Sequence, residues 1–261
     1  MEPVAGVVLA AGLGTRLRPL TDLRPKALCP VGNVALVDLA NGHVRRVTTD
    51  VAVNVHAHRE QMLAHLAGAG VHLSVEEPEP LGTAGALGRL RDWVAGRPML
   101  VHNADAWHQA DLATQLLAGW DGERMRLLTV PAAPGAGDFG EHIYAGACLL
   151  PWRDVRDLRA EPSGLYEALW RRAEQEGRLD LVGCSGPWFD TGTPATYLAA
   201  NLAASGGESV IAPDASVSPS AAVIASVVWP RAVVNEGERL FHQIRAPGGV
   251  TVDAAGGTEA A

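Results

Sequence analysis

Short β-branched runs separated by amphipathic stretches organise the first half of the chain. Residues 7–10, Val7-Val8-Leu9-Ala10, read as a buried strand that runs into a glycine-rich loop. Residues 51–55 form a second predicted strand, and a helix follows over 59–67 with Met62, Leu63 and Leu66 on one face. A third strand is expected at 71–75, then a helix near 84–94. Residues 99–101 and 126–130 supply two more strands, with a helix near 112–117 between them. Such alternation predicts an α/β fold: a Rossmann-like, mostly parallel sheet with helices on both faces. Ligands of these sheets bind at the carboxyl ends of the strands, so the residues just after each strand carry the chemical interest.

Beyond Val130 the pattern is less regular. A Pro/Gly/Ala loop at 131–137 precedes a strand at 142–150, a helix at 165–175, a turn-rich segment at 186–193 and a final helix at 194–204. Ser205-Gly206-Gly207 marks a boundary between a main domain, 1–205, and an appendage, 206–253. In the appendage Ile211, Val217 and Val223 recur every six residues with Pro213 and Pro219 in step, the period of a left-handed β-helix coil. Three hexads make about one coil, too few to stand alone, so a rudimentary coil docked on the main domain is expected. An Ala/Val/Pro loop with accidental periodicity is the alternative. Residues 254–261 are expected to be disordered.

Composition narrows the function. The chain has 261 residues, 48% of them hydrophobic, enough for a substantial core without cross-links. Its 21 basic and 29 acidic residues give a formal charge of −8, which argues against a nucleic-acid surface. A few well-placed cations still suffice for a phosphate. Cys29, Cys148 and Cys184 are far apart, with no C-x-x-C pair, so neither a zinc site nor a disulfide framework is indicated. No targeting segment and no membrane-length apolar run is found, and the expectation is a cytoplasmic protein without a membrane or nucleic-acid partner. Homo-oligomer formation is left open.

The most informative segment runs from Leu9 through Ala10-Ala11-Gly12-Leu13-Gly14-Thr15-Arg16, with Pro25-Lys26 downstream. A buried strand ends in a loop where Gly12 and Gly14 allow close backbone approach, and successive N–H groups there can cradle phosphate oxygens. Arg16 offers a planar fork and Lys26 a compact charge. A P-loop is excluded because Thr15-Arg16 stands where Lys-Ser/Thr would be needed, and a dinucleotide fingerprint because Leu17 replaces its third glycine. Bound phosphates are often accompanied by a divalent cation, which takes oxygen ligands. Asp105, just after the strand at 99–101, and Asp190, in Phe189-Asp190-Thr191-Gly192-Thr193, are candidates. A lone Asp read without further context is more often a turn or cap residue. His56, His102 and His108 lie near strand ends and are read as polar lining or surface.

The glycine loop with Arg16, Pro25 and Lys26 resembles the signature of the nucleoside-diphosphate-sugar pyrophosphorylases, the sugar-1-phosphate nucleotidyltransferases. The resemblance implies that Leu9, Ala10, Ala11 and Gly12 lie at base and ribose, and that Gly14, Thr15, Arg16 and Lys26 face the phosphates. It implies Mg²⁺ as cofactor, held by Asp105 and Asp190, with Arg16, Lys26 and Asp105 as catalytic residues. Glu77-Pro78 and Leu81-Gly82-Thr83-Ala84-Gly85-Ala86-Leu87 are similar to the mannose-1-phosphate guanylyltransferases. Glu77 would then accept hydrogen bonds from guanine, and Gly82 and Thr83 would close over the nucleotide. Gly137-Asp138-Phe139, Asn103-x-Asp105-x-Trp107 and the closing Trp188–Thr193 motif are similar instead to the N-acetylmuramate-1-phosphate uridylyltransferases. Asn103, Asp138 and Gly146 are the expected sugar-phosphate contacts, although the Glu-Lys-Pro motif of many relatives is absent and the segment 131–143 is short. The implied substrates are a sugar 1-phosphate and GTP or UTP, with guanine slightly ahead. A catalytically silent sugar-nucleotide-binding regulator and a cytidylyltransferase-type enzyme remain as alternatives.

Overall fold

The computed structural model describes residues 3–255. Seven strands make one sheet, in the order Leu179–Gly183, Met125–Pro131, His142–Leu150, Met99–Asn103, Ala5–Leu9, Val51–Val55 and His72–Val75. Every neighbouring pair is parallel except those made by His142–Leu150, which runs antiparallel to both of its neighbours. Alternate residues of one strand feed different cores: Val7 joins one apolar cluster and Val8 the other. Helices Leu36–Arg45 and Arg59–Leu66, with the π-helical turn Ala113–Leu117, close one face. Helices Gly82–Arg89 and Arg171–Gln175 close the other.

The sequence pattern overlooks helix Leu36–Arg45. Its buried stripe of Leu36, Val37, Ala40, Asn41 and Val44 contains a polar residue and is interrupted by Gly42, which blunts the helical signal. The helix expected near 84–94 breaks at Leu90 into Gly82–Arg89 and Arg91–Val94. Its glycines have a packing reason. A methyl group at Gly85 or Gly88 would collide with the backbone carbonyls of Glu161 and Arg159, so the helix lies flat on that returning segment. The helix expected at 165–175 begins instead as a π-helical turn, Tyr166–Trp170.

After helix Pro194–Ala204 the chain turns through Gly206 and Gly207, both at positive φ. It then winds into parallel ladders with a constant offset of 17 residues: Ile211 pairs with Val228, Val217 with Val234, Val223 with Leu240 and Val228 with Arg245. The chain thus makes more than two circuits, not the single coil that three hexads imply. Each circuit is one residue short of three hexads, so a search for a strict six-residue repeat loses the register after Val223. Ile211, expected as an inward rung, is 40% exposed, and Val210 and Ala212 are buried instead. At the C-terminal end, Thr251–Asp253 closes the ladder as an antiparallel strand. Of the tail expected at 254–261, Ala254 is buried and donates its N–H to the His242 carbonyl at 2.9 Å, while 256–261 lie outside the described residues.

One apolar cluster joins the coil to the rest of the protein. Val228, Trp229 and Ile244 pack with Leu17, Leu36, Trp107 and Tyr197. Trp229 is fully buried, its indole N–H donates to the Tyr197 hydroxyl at 2.9 Å, and the Arg24 guanidinium stacks on its ring at 4.6 Å. No helix among the described residues is long and apolar enough to cross a membrane.

Trp229→Ala is expected to cost about 3–5 kcal/mol of stability, the usual range for emptying a buried aromatic site. Urea denaturation followed by far-ultraviolet circular dichroism measures it. A loss under about 1 kcal/mol would mean that the coil does not lean on this residue.

Candidate active site

Two clefts meet at the carboxyl ends of Ala5–Leu9, Val51–Val55 and Met99–Asn103. The first is lined by Leu9, Ala10, Ala11, Gly12, Gly82 and Thr83, with Lys26 and Asn54 in its wall. The second is lined by Arg16, Asp138, Gly146 and Asp190. Asn103 and Asp105 line both. Thirteen of the expected site residues are therefore gathered around one junction, although the chain separates them by up to 181 positions.

The junction carries alternating charge. The Lys26 ammonium lies 2.7 Å from Asp105 Oδ2 and 3.6 Å from Asp190 Oδ1. Asp190 Oδ2 in turn faces the Arg16 guanidinium at 3.4 Å. Lys26 is expected on a solvent-facing wall. Its side chain is only 8% exposed, because the two aspartates close over it from distant parts of the chain. Hydrogen bonds fix that convergence. Thr191 is fully buried, and both its N–H and its hydroxyl donate to the Asp105 carbonyl, at 3.1 and 2.8 Å. Strand Trp188–Asp190 pairs antiparallel with Ala106–His108, bringing Asp190 opposite Ala106. The Trp188 indole N–H anchors that strand to the Ala145 carbonyl at 2.9 Å.

Three expected residues sit elsewhere or act differently. Glu77 lies in a separate groove with His58 and Arg59, its side chain 62% exposed and paired with the Arg59 guanidinium. It does not line the first cleft, so its expected role at guanine is not supported. Thr15 opens a short 3₁₀ turn, is exposed and lines neither cleft. Gly14 also lies outside both. At φ +63° its missing Cβ leaves room for Lys26 Cβ and Thr21 Cγ2, each of which a methyl would approach to 2.9 Å. Gly14 thus shapes the bend that seats Lys26. Asp138 lines the second cleft while accepting the Tyr144 N–H at 2.9 Å, which closes its own turn.

Sequence reasoning missed Asn54 and Thr191. Asn54 interrupts the otherwise apolar Val51-Ala52-Val53-Asn54-Val55, is buried, and accepts the Ala10 N–H at 2.6 Å. A lone amide in a buried strand must find partners, and that was the available signal. Thr191 carried none beyond its place in the Asp-x-Gly-Thr motif.

Of the three histidines expected as polar lining or surface, His56 is half-buried and lines the groove that holds Glu77, whereas His102 and His108 are buried. His43, His102 and His108 cluster behind the junction, with ring centroids 4.5 to 5.5 Å apart. His108 Nδ1 accepts the Ala110 N–H at 3.2 Å, so its Nε2–H donates to His102 Nε2 at 2.9 Å, and His102 Nδ1–H donates to the Asn103 carbonyl at 2.8 Å. Both rings are neutral in this relay. Burial and then neighbouring imidazoles depress them, His102 to about 3 and His108 to about 2, and burial also lowers His43. Burial pushes the Cys29 and Cys148 thiols up to about 12, which leaves them inert.

Residues 5–131 match the model of a family described as nucleotidyl transferase. The N-acetylmuramate alpha-1-phosphate uridylyltransferase of Caulobacter vibrioides is 30% identical, over 76% of this chain and 96% of that protein. A probable mannose-1-phosphate guanylyltransferase of Oryza sativa subsp. japonica is 27% identical over 74% of this chain, and the match spans 62% of that longer relative. Among solved structures, a putative glucose-1-phosphate thymidylyltransferase from Bacillus anthracis shares the fold, with a TM-score of 0.66 and 20% identity over 77% of this chain and 95% of that one.

The histidine relay makes stability depend on pH. Each ring is neutral when folded and takes a proton near 6.5 when unfolded, so the unfolded chain binds more protons below that pH. Stability should be full above pH 6.5 and fall as pH drops toward the folded values near 3 and 2. Denaturant titrations between pH 7 and about pH 5, above the ordinary carboxylate range, isolate the effect. Equal stability across that window would contradict a neutral, buried relay.

Proposed function

The chain belongs to the sugar-1-phosphate nucleotidyltransferase family, and from that premise we propose that it joins UTP to a sugar 1-phosphate, releasing pyrophosphate. The observation that carries this reading is the shared wall of the two clefts. Lys26 lines the first and Arg16 the second, and Asn103 and Asp105 belong to both. A nucleotide in the first cleft and a sugar phosphate in the second would meet with their phosphates at that wall. UTP stands before GTP for two reasons. Glu77, the residue that favoured guanine, lies outside the cleft, and a 30% identical relative matched over 96% of its length is a uridylyltransferase.

The chemistry asked of the protein is positioning and charge stabilisation. An oxygen of the sugar phosphate attacks the α-phosphorus of the nucleotide, the new P–O bond forms, and the α–β bridging bond breaks with pyrophosphate leaving. The nucleophile is an oxyanion and the leaving group departs as one, so no proton must move at the reacting atoms. Lys26 and Arg16 supply N–H donors on either side of the transferred phosphoryl group, where charge-assisted hydrogen bonds strengthen as negative charge is redistributed.

The donor set also fits Mg²⁺. Asp105 and Asp190 offer only hard oxygens, and their shared contact with one ammonium keeps the facing oxygens within about 6 Å. Among the described residues no group of three or more His, Cys, Asp or Glu is arranged around a metal. Two carboxylates completed by phosphate and water are what Mg²⁺ prefers. When bound there, the ion would supply Lewis-acid neutralisation of phosphate charge. The closing segment of the reading is the coil, which we take to wind left-handed as its hexads suggest.

A matrix of nucleoside triphosphates against sugar 1-phosphates, including those of N-acetylmuramate and mannose, read by pyrophosphate release, tests the reaction. UTP should give the highest kcat/KM, and turnover best with ATP would overturn the base assignment. Lys26→Ala should lower kcat/KM about 100-fold or more, equivalent to about 3 kcal/mol of lost transition-state stabilisation. Near wild-type activity in a variant folded by circular dichroism would remove Lys26 from the site. Asp105→Asn and Asp190→Asn should each abolish turnover and the Mg²⁺ dependence of nucleotide binding in calorimetric titration. If Mg²⁺ still tightened binding in both variants, the metal would lie elsewhere.

A further inference from the structure

Glu76 is a buried carboxylate that the reaction above does not use. It follows strand His72–Val75, is 1% exposed, and lies outside the first cleft. One oxygen, Oε1, accepts the Asn54 side-chain N–H at 2.7 Å. The other, Oε2, accepts the Leu81 backbone N–H at 2.7 Å. Its own N–H donates to the Val55 carbonyl at 2.9 Å, and its carbonyl faces His56 Nδ1 at 3.0 Å.

The network has a direction. A carboxylate offers acceptors only, so Asn54 must turn its amide nitrogen toward Glu76. That orientation leaves Asn54 Oδ1 facing Ala10, whose N–H it accepts at 2.6 Å. Ala10 begins the glycine loop that forms one wall of the first cleft. Leu81 precedes Gly82, which begins the opposite wall. We infer that Glu76 is a positioning residue for the nucleotide: through Asn54 and Leu81 it locks the two walls of the first cleft to each other. Its acceptor-only character sets the amide of Asn54, and among the described residues no other side chain bridges the Ala10 and Leu81 segments by hydrogen bonds. The inference rests on the nucleotide occupying the first cleft.

Swapping the charge between the two side chains provides the test. Glu76→Gln places a side-chain amide against two donors, the Asn54 amide and the Leu81 N–H, and one of the two bonds must fail. Adding Asn54→Asp restores every bond with the charge moved one step. The new carboxylate at position 54 accepts from Ala10 and from the amide at position 76, whose oxygen still accepts from Leu81. Glu76→Gln should raise the KM for UTP about tenfold, the scale of one lost charge-assisted bond, while the KM for the sugar phosphate stays within about twofold. The double variant should return the UTP KM to within about threefold of wild type. A purely structural role would instead lower the melting temperature and shift both KM values together.

The inference is overturned if the single variant keeps its UTP KM within about twofold, or if the double variant folds and is no better than the single. Should the single variant fail to fold, the double variant decides alone: folded with restored KM supports the inference, unfolded refutes it. Hydrogen exchange at the Ala10 and Leu81 amides reads the same lock without turnover. Wild-type protein inactive on every triphosphate would refute the proposed reaction, and exchange would then carry the decision. Faster exchange in the single variant and its reversal in the double support the lock, and unchanged exchange overturns it.

Discussion

The site depends on one buried ammonium held between two carboxylates. Two like charges no more than about 6 Å apart repel by about 3 kcal/mol or more at the effective dielectric of a protein surface, and by about 1 kcal/mol in water. Both aspartates are partly exposed, so the actual figure lies toward the lower end, yet the arrangement still needs a cation. Lys26 supplies it, 2.7 Å from Asp105. The backbone does the rest of the work: Thr191 grips the carbonyl of Asp105 twice, and the pairing of Trp188–Asp190 with Ala106–His108 fixes where Asp190 stands. Placing the opposite charges together in a groove gives the site a poised, ligand-sensitive electrostatic balance. In the proposed reaction phosphate would compete for the cations and a divalent ion for the carboxylates, so the two ligands would favour each other's binding.

Local signals in the sequence were reliable wherever the chain carried the information locally. Strands Val51–Val55 and His142–Leu150 and helix Pro194–Ala204 were legible to the residue. Resemblance to the family singled out the glycine loop and both aspartates, and the fold gathers them around one junction, as strand ends gather at one edge of a parallel sheet. What was not legible depended on partners far away. Lys26 looks like a surface residue until Asp105 and Asp190, 79 and 164 positions downstream, are folded over it. Of the adjacent pair Glu76 and Glu77, sequence similarity selected the exposed one. Successive residues in an extended segment face opposite ways, so a shift of one position exchanges a buried, hydrogen-bonded acid for a solvated one.

The coil failed by a comparable margin. Six-residue spacing predicted rungs, but a three-sided circuit needs only that each rung meet its counterpart after a constant interval. Seventeen satisfies that as well as eighteen would, with one corner tightened. The hydrophobic rungs after Val223 were therefore present and out of phase. The consequence reaches the site, because the coil packs its Trp229 on Tyr197 in the helix that leaves the Asp190 segment. Removing it would unload the element that follows Thr191.

The remaining polar interior argues that this protein controls geometry more than protons. The His108–His102–Asn103 relay ends on the backbone of a residue that lines both clefts, and its rings are buried and held neutral. Glu76 has both oxygens occupied by N–H donors. Neither group can exchange a proton with a ligand without first breaking the bonds that place it. Each instead fixes the direction of a neighbouring dipole, and a buried chain of oriented dipoles resists rearrangement because every reversal strands a donor or an acceptor. That rigidity suits transfer between two anions. Their mutual repulsion must be overcome by cations and amides already in place, since groups that had to reorganise during the reaction would return much of what they stabilise.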